Sequence, residues 1–148
     1  MSNECIFCRI LAGRANGHFV YRGRCCSAFL DKDPFTRGHT LIVPNEHAPR
    51  LVDLPTHIGT QIFKAAAVIA NAIASSELRS EGFNLRLSDG ECAGQDVEHI
   101  HLHVIPRFPN DGVLIDLGRR CPDPAKFELA VTADAIIRHL QTANLGDA

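Results

Sequence analysis

Val97-Glu98-His99-Ile100-His101-Leu102-His103-Val104-Ile105-Pro106-Arg107 alternates along most of its length, the period-two pattern of a β-strand with one face against a core. Ile100, Leu102 and Val104 fall on one side, and His99, His101 and His103 on the other. The wet face of a half-buried sheet is ordinarily built from Thr, Lys, Glu or Ser, so three consecutive imidazoles predict a lined cleft. Upstream, residues 83–88 (Phe-Asn-Leu-Arg-Leu-Ser) alternate as well, and the intervening Asp89-to-Asp96 segment carries Gly90 and Gly94. The two runs are expected to pair antiparallel across that loop.

Working outward, residues 19–22 and 26–30 read as the arms of a small hairpin turning at Arg22-Gly23-Arg24. A β-branched run at 39–43 is stopped by Pro44, after the turn-rich Asp33-Pro34-Phe35-Thr36-Arg37-Gly38. Ile58, Ile62, Ala66, Ile69 and Ile73 recur at helical intervals, predicting a main helix from about 56 to 78 with Thr56 or Thr60 as its cap. Asp123-Pro124 opens a second amphipathic helix at about 124–142, with Phe127, Ala130, Val131, Ile137 and Leu140 on its apolar face. With 148 residues, 45% hydrophobic content, and no repeat, low-complexity tract or linker, one domain over 1–148 is expected.

Lys plus Arg at 15 against Asp plus Glu at 17 gives a net charge of −2, which offers no basic field for a nucleic-acid polymer. One tyrosine and no tryptophan weaken a single-strand-binding surface further. No apolar run approaches the roughly 18 residues of a membrane span, and Glu4 sits where a secretory signal carries positive charge. A cytoplasmic protein with reduced thiols, some on metal, is the expectation for the six cysteines. Cys25, Cys26, Cys92 and Cys121 read as packing or surface thiols, and His18, His57 and His139 have no constellation around them.

Three histidines on one strand do not make one metal site. The outer two are roughly 13 Å apart along a strand, whereas metal–nitrogen bonds are about 2.0–2.1 Å. At most two neighbours share an ion, which leaves one histidine, the middle one by this reading, for chemistry of its own. A neutral imidazole, its second nitrogen held by a backbone carbonyl, is a competent nucleophile toward phosphorus. The loop Gly90-Glu-Cys-Ala-Gly94-Gln95-Asp96-Val97 supplies candidate backbone donors for the phosphate. Cys5-x-x-Cys8 by itself reads as a metal pair, a redox pair or two buried thiols.

Taken together, residues 93–107, Cys5-Ile-Phe-Cys8-Arg9-Ile10, Ala28-Phe29-Leu30-Asp31 and Gly38-His39-Thr40-Leu41-Ile42-Val43-Pro44 resemble the histidine triad family in its compact microbial form. The resemblance implies an α+β fold with an antiparallel five-stranded sheet, one main helix and a C-terminal helix. It also implies a homodimer and attack on a nucleotide's α-phosphorus through a nucleotidyl-histidine. It points to His101 as nucleophile, with His103 bonded to the phosphate or leaving oxygen and His39 supporting the cluster. It places Gln95, with Gly94, Asp96 and Val97, at the phosphate, Asp31 at the ribose hydroxyls, and Phe29 or Ile10 beside an adenine or guanine base.

This chain carries Asp96 where many relatives have Ser or Thr, and Ser88 where many have Asn or Gln near the leaving group. An acid beside a bound anion is unfavourable unless it turns away, so only the Asp96 backbone is expected to assist. Some microbial members hold zinc with such a cysteine pair and two histidines, here Cys5, Cys8, His47 and His99, a closed structural set. Two alternatives to the nucleotidyl-histidine enzyme are a zinc hydrolase using two triad histidines with Glu98 or Asp96 as base, and a nucleotide-binding protein without catalysis.

Overall fold

The computed structural model describes residues 5–114 and 129–140. The chain runs through α1 (Ile6–Leu11), β1 (Phe19–Arg22), β2 (Cys26–Leu30), β3 (Thr40–Pro44), α2 (Thr56–Ala74), β4 (Gly82–Leu87), β5 (Leu102–Arg107) and α3 (Leu129–Leu140), with short 3-10 turns at Leu51–Asp53 and Glu91–Ala93. Two compact units divide after Val113. All strands belong to the first unit and form one antiparallel sheet in the order β1-β2-β3-β5-β4. This is the α+β architecture expected from the sequence. Of the predicted C-terminal helix, residues 129–140 are helical, with Val131 and Ile137 exposed; Asp123, Pro124, Phe127 and Cys121 lie outside the described residues.

The sheet register sorts side chains to two faces. Ala28, Ile42, Leu102 and Val104 turn to α2 and bury Ile62, Ala66 and Ile69 against them. Ala28 and Ala66 are small enough to let helix and sheet approach, and each fully buried aliphatic side chain contributes about 1.5–3 kcal/mol. On the opposite face, Phe29, Leu41 and Val43 pack beneath Phe7 and Ile10 of α1. Directly paired residues share a face, so the partners Phe19–Phe29, Phe29–Leu41, Leu41–His103 and His103–Arg86 form one row across all five strands. That row underlies the site.

Three local expectations are corrected. Helix α2 begins after Pro55 without a side-chain cap, and Thr60 Oγ1 instead donates to the Thr56 carbonyl at 3.1 Å. The helix ends at Ala74, not near 78, because the Ser76 hydroxyl donates to the Ile73 carbonyl at 2.6 Å and accepts from Leu78 N–H, diverting the ladder. The histidine strand starts at Leu102, not Val97. Before it, His99 N–H folds back to the Val97 carbonyl (2.8 Å) and Ile100 N–H goes to the Ala48 carbonyl (2.7 Å), so these amides are not in the strand ladder.

Candidate active site and adjoining metal-binding cluster

The kink at 97–101 sends His99 one way and the other two histidines another. His99 is fully buried and faces Cys5 and Cys8, whereas His101 and His103 line a cavity of about 490 Å³ on the α1 face of the sheet. Phe7 stands between them, its ring edge-on to His99 (5.8 Å) and to His101 (5.1 Å). The same cavity takes in Ile10, Phe29, Asp31, Ser88, Gly94, Gln95, Asp96 and Val97, so the expected nucleotide residues come together. His39 lies behind His103 rather than on the wall.

Hydrogen bonds assign a proton to each imidazole. His101 Nδ1–H donates to the His99 carbonyl at 2.8 Å, which leaves a lone pair on Nε2 at the cavity. Phe35 N–H donates to His39 Nδ1 (3.2 Å), placing the His39 proton on Nε2, and that N–H donates to His103 Nδ1 at 2.9 Å. His103 therefore keeps an N–H on Nε2, the ring atom left for the cavity. Burial pulls His103 down to about 4, with His101 and His39 acting in the same direction, so its imidazole is neutral at neutral pH. Burial lowers His39 as well, against the opposing pull of Asp31. Along this chain the site holds one acceptor nitrogen beside one donor nitrogen, with ring centroids 4.8 Å apart.

The glycine loop expected to meet phosphate differs in detail from its sequence reading. The Gln95 amide, expected on phosphate, is spent on the backbone: Oε1 accepts from Gly90 N–H (2.6 Å), and Nε2 donates to the carbonyls of Pro49 and Val97 (2.8 Å each). It braces the loop. Gly90 and Gly94 take φ of +92° and +80°, conformations that a side chain would strain. The N–H groups of Ala93, Gly94 and Gln95 are taken by loop carbonyls, whereas those of Asp96 and Val97 make no hydrogen bond among the described residues. The Asp96 side chain is 85% exposed, yet its Oδ1 lies 3.9 Å from His101 Nε2 and the residue lines the cavity, so the acid stays solvated at the site's edge and does not turn away from it.

Asp31 takes part in a local turn and also lines the cavity. Its Oδ1 accepts from Asp33 N–H at 2.9 Å in a local turn, while Oδ2 sits 3.6 Å from His39 Nδ1 at the cavity wall. The sequence reading missed Phe7, Phe35, His18 and Arg86. Phe35 stacks on His39 at 5.5 Å with a 25° interplanar angle, and Phe7, Arg86 and His18, a histidine expected to have no constellation around it, line the cavity. Only Arg86 leaves a signal, through its alternation with Ser88, which follows the last residue of β4.

Behind Phe7, Cys5, Cys8, His47 and His99 gather with their ligand atoms all within 4.8 Å of one another. The sulfur–nitrogen separations are 3.4 Å (Cys5–His99), 3.4 Å (Cys8–His47) and 3.6 Å (Cys8–His99). A zinc tetrahedron with bonds of about 2.3 Å to sulfur and 2.0–2.1 Å to nitrogen has S···N edges of about 3.5 Å, so the donor set fits that ion. His99 Nε2–H donates to the Pro44 carbonyl at 3.0 Å, which turns the Nδ1 lone pair toward the sulfurs. Burial, with the Cys5 thiol beside it, pushes Cys8 up to about 11, an arrangement that a bound divalent cation would reverse.

Comparison with known proteins agrees with this geometry. The HIT domain family model matches residues 12–110. An uncharacterized HIT-like protein of Borreliella burgdorferi is 40% identical over 120 residues, covering 79% of this chain and 85% of that protein. An adenylylsulfatase of Arabidopsis thaliana is 35% identical over 111 residues, covering 75% of this chain and 56% of that protein. The crystal structure of a zinc-bound histidine triad family protein from Mycobacterium smegmatis superimposes with a TM-score of 0.75 at 36% identity, covering 91% of this chain and 99% of that one. With a triad that divides between a cavity and a cysteine cluster, and a family match across two thirds of its length, the chain belongs to the histidine triad (HIT) family.

Proposed function

We propose that this protein hydrolyses nucleotide esters, anhydrides or phosphoramidates at the α-phosphorus through a nucleotidyl-His101 intermediate. The observation that carries the reading is the bond from His101 Nδ1–H to the His99 carbonyl, which leaves Nε2 as a free lone pair at the cavity. Phe7, Ile10 and Phe29 offer an apolar seat for a purine, and Asp31 an acceptor for ribose hydroxyls. The unpaired N–H groups of Asp96 and Val97 are donors for phosphate oxygens.

In the first step the Nε2 lone pair forms the N–P bond. The bond from phosphorus to the leaving atom breaks with its electron pair on that atom, toward which His103 Nε2–H donates; an oxyanion leaves as such, and an amine leaves with a proton taken from solvent. Water then attacks phosphorus, the P–N pair returns to Nε2, and the water proton passes to solvent as the nucleoside monophosphate departs. Cys5, Cys8, His47 and His99 would hold a zinc ion that ties the amino-terminal helix to the histidine segment, supplying structure to the site. In the cytoplasm, where we place the protein, the two thiols stay reduced.

The experiment is to offer the wild-type protein adenosine and guanosine phosphoramidates, adenosine 5′-phosphosulfate and diadenosine polyphosphates. Release of the nucleoside monophosphate from at least one is expected, and tight binding without turnover of any would favour a binding protein instead. We also propose a homodimer. β4 is an edge strand with Leu85 and Leu87 exposed, and α2 exposes Phe63 and Val68, apolar area that a second copy would cover. Sedimentation at micromolar concentration is expected to give twice 16.2 kDa, and a particle of 16.2 kDa would contradict it.

A further inference from the structure

Arg86 has no part in the steps above, yet its side chain lines the same cavity. It is half-buried, and its guanidinium makes no hydrogen bond or ion pair among the described residues. Arg50 and Arg107, by contrast, are engaged by Asp89 and Asp111 at 2.6 and 2.8 Å. A partly desolvated cation with five donors and no counterion among the described residues is a site for an added anion.

Sheet order says which part of a substrate meets it. In the row Phe29–Leu41–His103–Arg86, β2 and β4 lie on opposite sides of β5. Neighbouring strands are about 4.8 Å apart, so Phe29 and Arg86 are roughly 14 Å from each other across the floor. A nucleotide with its base at Phe29 and its α-phosphorus at His101 and His103 therefore extends its leaving group over β4. There Arg86 points into the cavity with Ser88 two residues along, and Arg86 Nη2 lies 3.5 Å from where a Cβ on Gly94 would stand, beside the phosphate loop. Asp96 is the opposing charge on that side, but its side chain is 85% exposed and screened by water, whereas Arg86 is half sheltered.

Given the His101 mechanism proposed above, we infer that Arg86 binds the leaving group and selects substrates in which that group is itself an oxyanion, a sulfate or a further phosphate, over those that release an amine. A sulfate or phosphate oxygen takes the electron pair of the broken P–O bond as an anion and needs no proton, so a fixed guanidinium stabilises it directly. A departing amine takes a proton, and a cation nearby opposes that.

The test compares kcat/KM of the wild type, Arg86→Gln and Arg86→Lys on adenosine 5′-phosphosulfate, diadenosine tetraphosphate and an adenosine 5′-phosphoramidate, with thermal melting as a check of the fold. Arg86→Gln is expected to lose roughly 10- to 100-fold on the two anhydrides and at least about tenfold less on the phosphoramidate. Arg86→Lys, which keeps the charge, is expected to recover part of that difference. The faster of the two anhydrides with the wild type distinguishes a sulfate from a phosphate leaving group. Equal losses on all three substrates, no loss on any, or no recovery with lysine would overturn the assignment. If the wild type cleaves none of the three, the His101 reading fails instead.

Discussion

His101→Ala is expected to lower kcat by at least about 10⁴-fold on every nucleotide that the native protein cleaves, with the fold retained. The size of the effect follows from the proton assignment. Both nitrogens of His99 are engaged, Nε2 with the Pro44 carbonyl and Nδ1 with the cysteine cluster. His103 accepts on Nδ1 and carries its proton on Nε2, and His39 accepts from Phe35 N–H while donating to His103. Of these four imidazoles only His101 presents a free lone pair to the cavity, so none of the other three can take over the covalent step. The stability cost is smaller: one hydrogen bond to the His99 carbonyl and an edge contact with Phe7 are lost, together about 1–3 kcal/mol. Turnover close to wild type, measured on the same substrate panel, would contradict the assignment.

The second large effect concerns the Cys5, Cys8, His47 and His99 cluster. Chelation, or Cys8→Ala, is expected to lower the melting temperature by about 10 °C or more, because the four donors draw together residues far apart in sequence. Cys8 is fully buried, so no solvent ligand replaces its sulfur, and without a cation burial favours the neutral thiol. Below the lowered melting point, turnover is expected to change by less than about tenfold, since His101 Nε2 is not among the cluster's donors. Calorimetry with metal analysis checks the first expectation and the activity assay the second. Loss of turnover with the fold intact, restored by added zinc, would favour a metal-dependent hydrolase.

Much of this architecture is legible in the sequence because its signals are local. Alternation marks β4 and most of β5, the glycine at Gly23 marks the first hairpin, and the aliphatic spacing from Ile58 to Ile73 marks α2. The misread boundaries are those decided by competing hydrogen bonds. The Ser76 hydroxyl ends α2 early, and the Ala48 carbonyl, 52 residues before the amide it accepts, draws Ile100 out of the strand pattern. That diversion gives the triad its division of labour, with His99 turned to the cysteines and His101 to the cavity, and periodicity alone places all three on one face. The resemblance places the Gln95 amide at phosphate, whereas its engagement with Gly90, Pro49 and Val97 depends on a loop path that no pattern encodes. Phe35 and Arg86 enter the site through tertiary placement, Arg86 by its register with His103.

The proposed intermediate is covalent, so a mass spectrum of the protein quenched under alkaline conditions during turnover of an adenosine phosphoramidate or phosphosulfate reads it directly. A species heavier by one adenylyl group is expected, transient in the wild type, absent from His101→Ala, and mapping to His101 within residues 87–107. Rapid cleavage with no adduct, or an adduct on any other side chain, would contradict it.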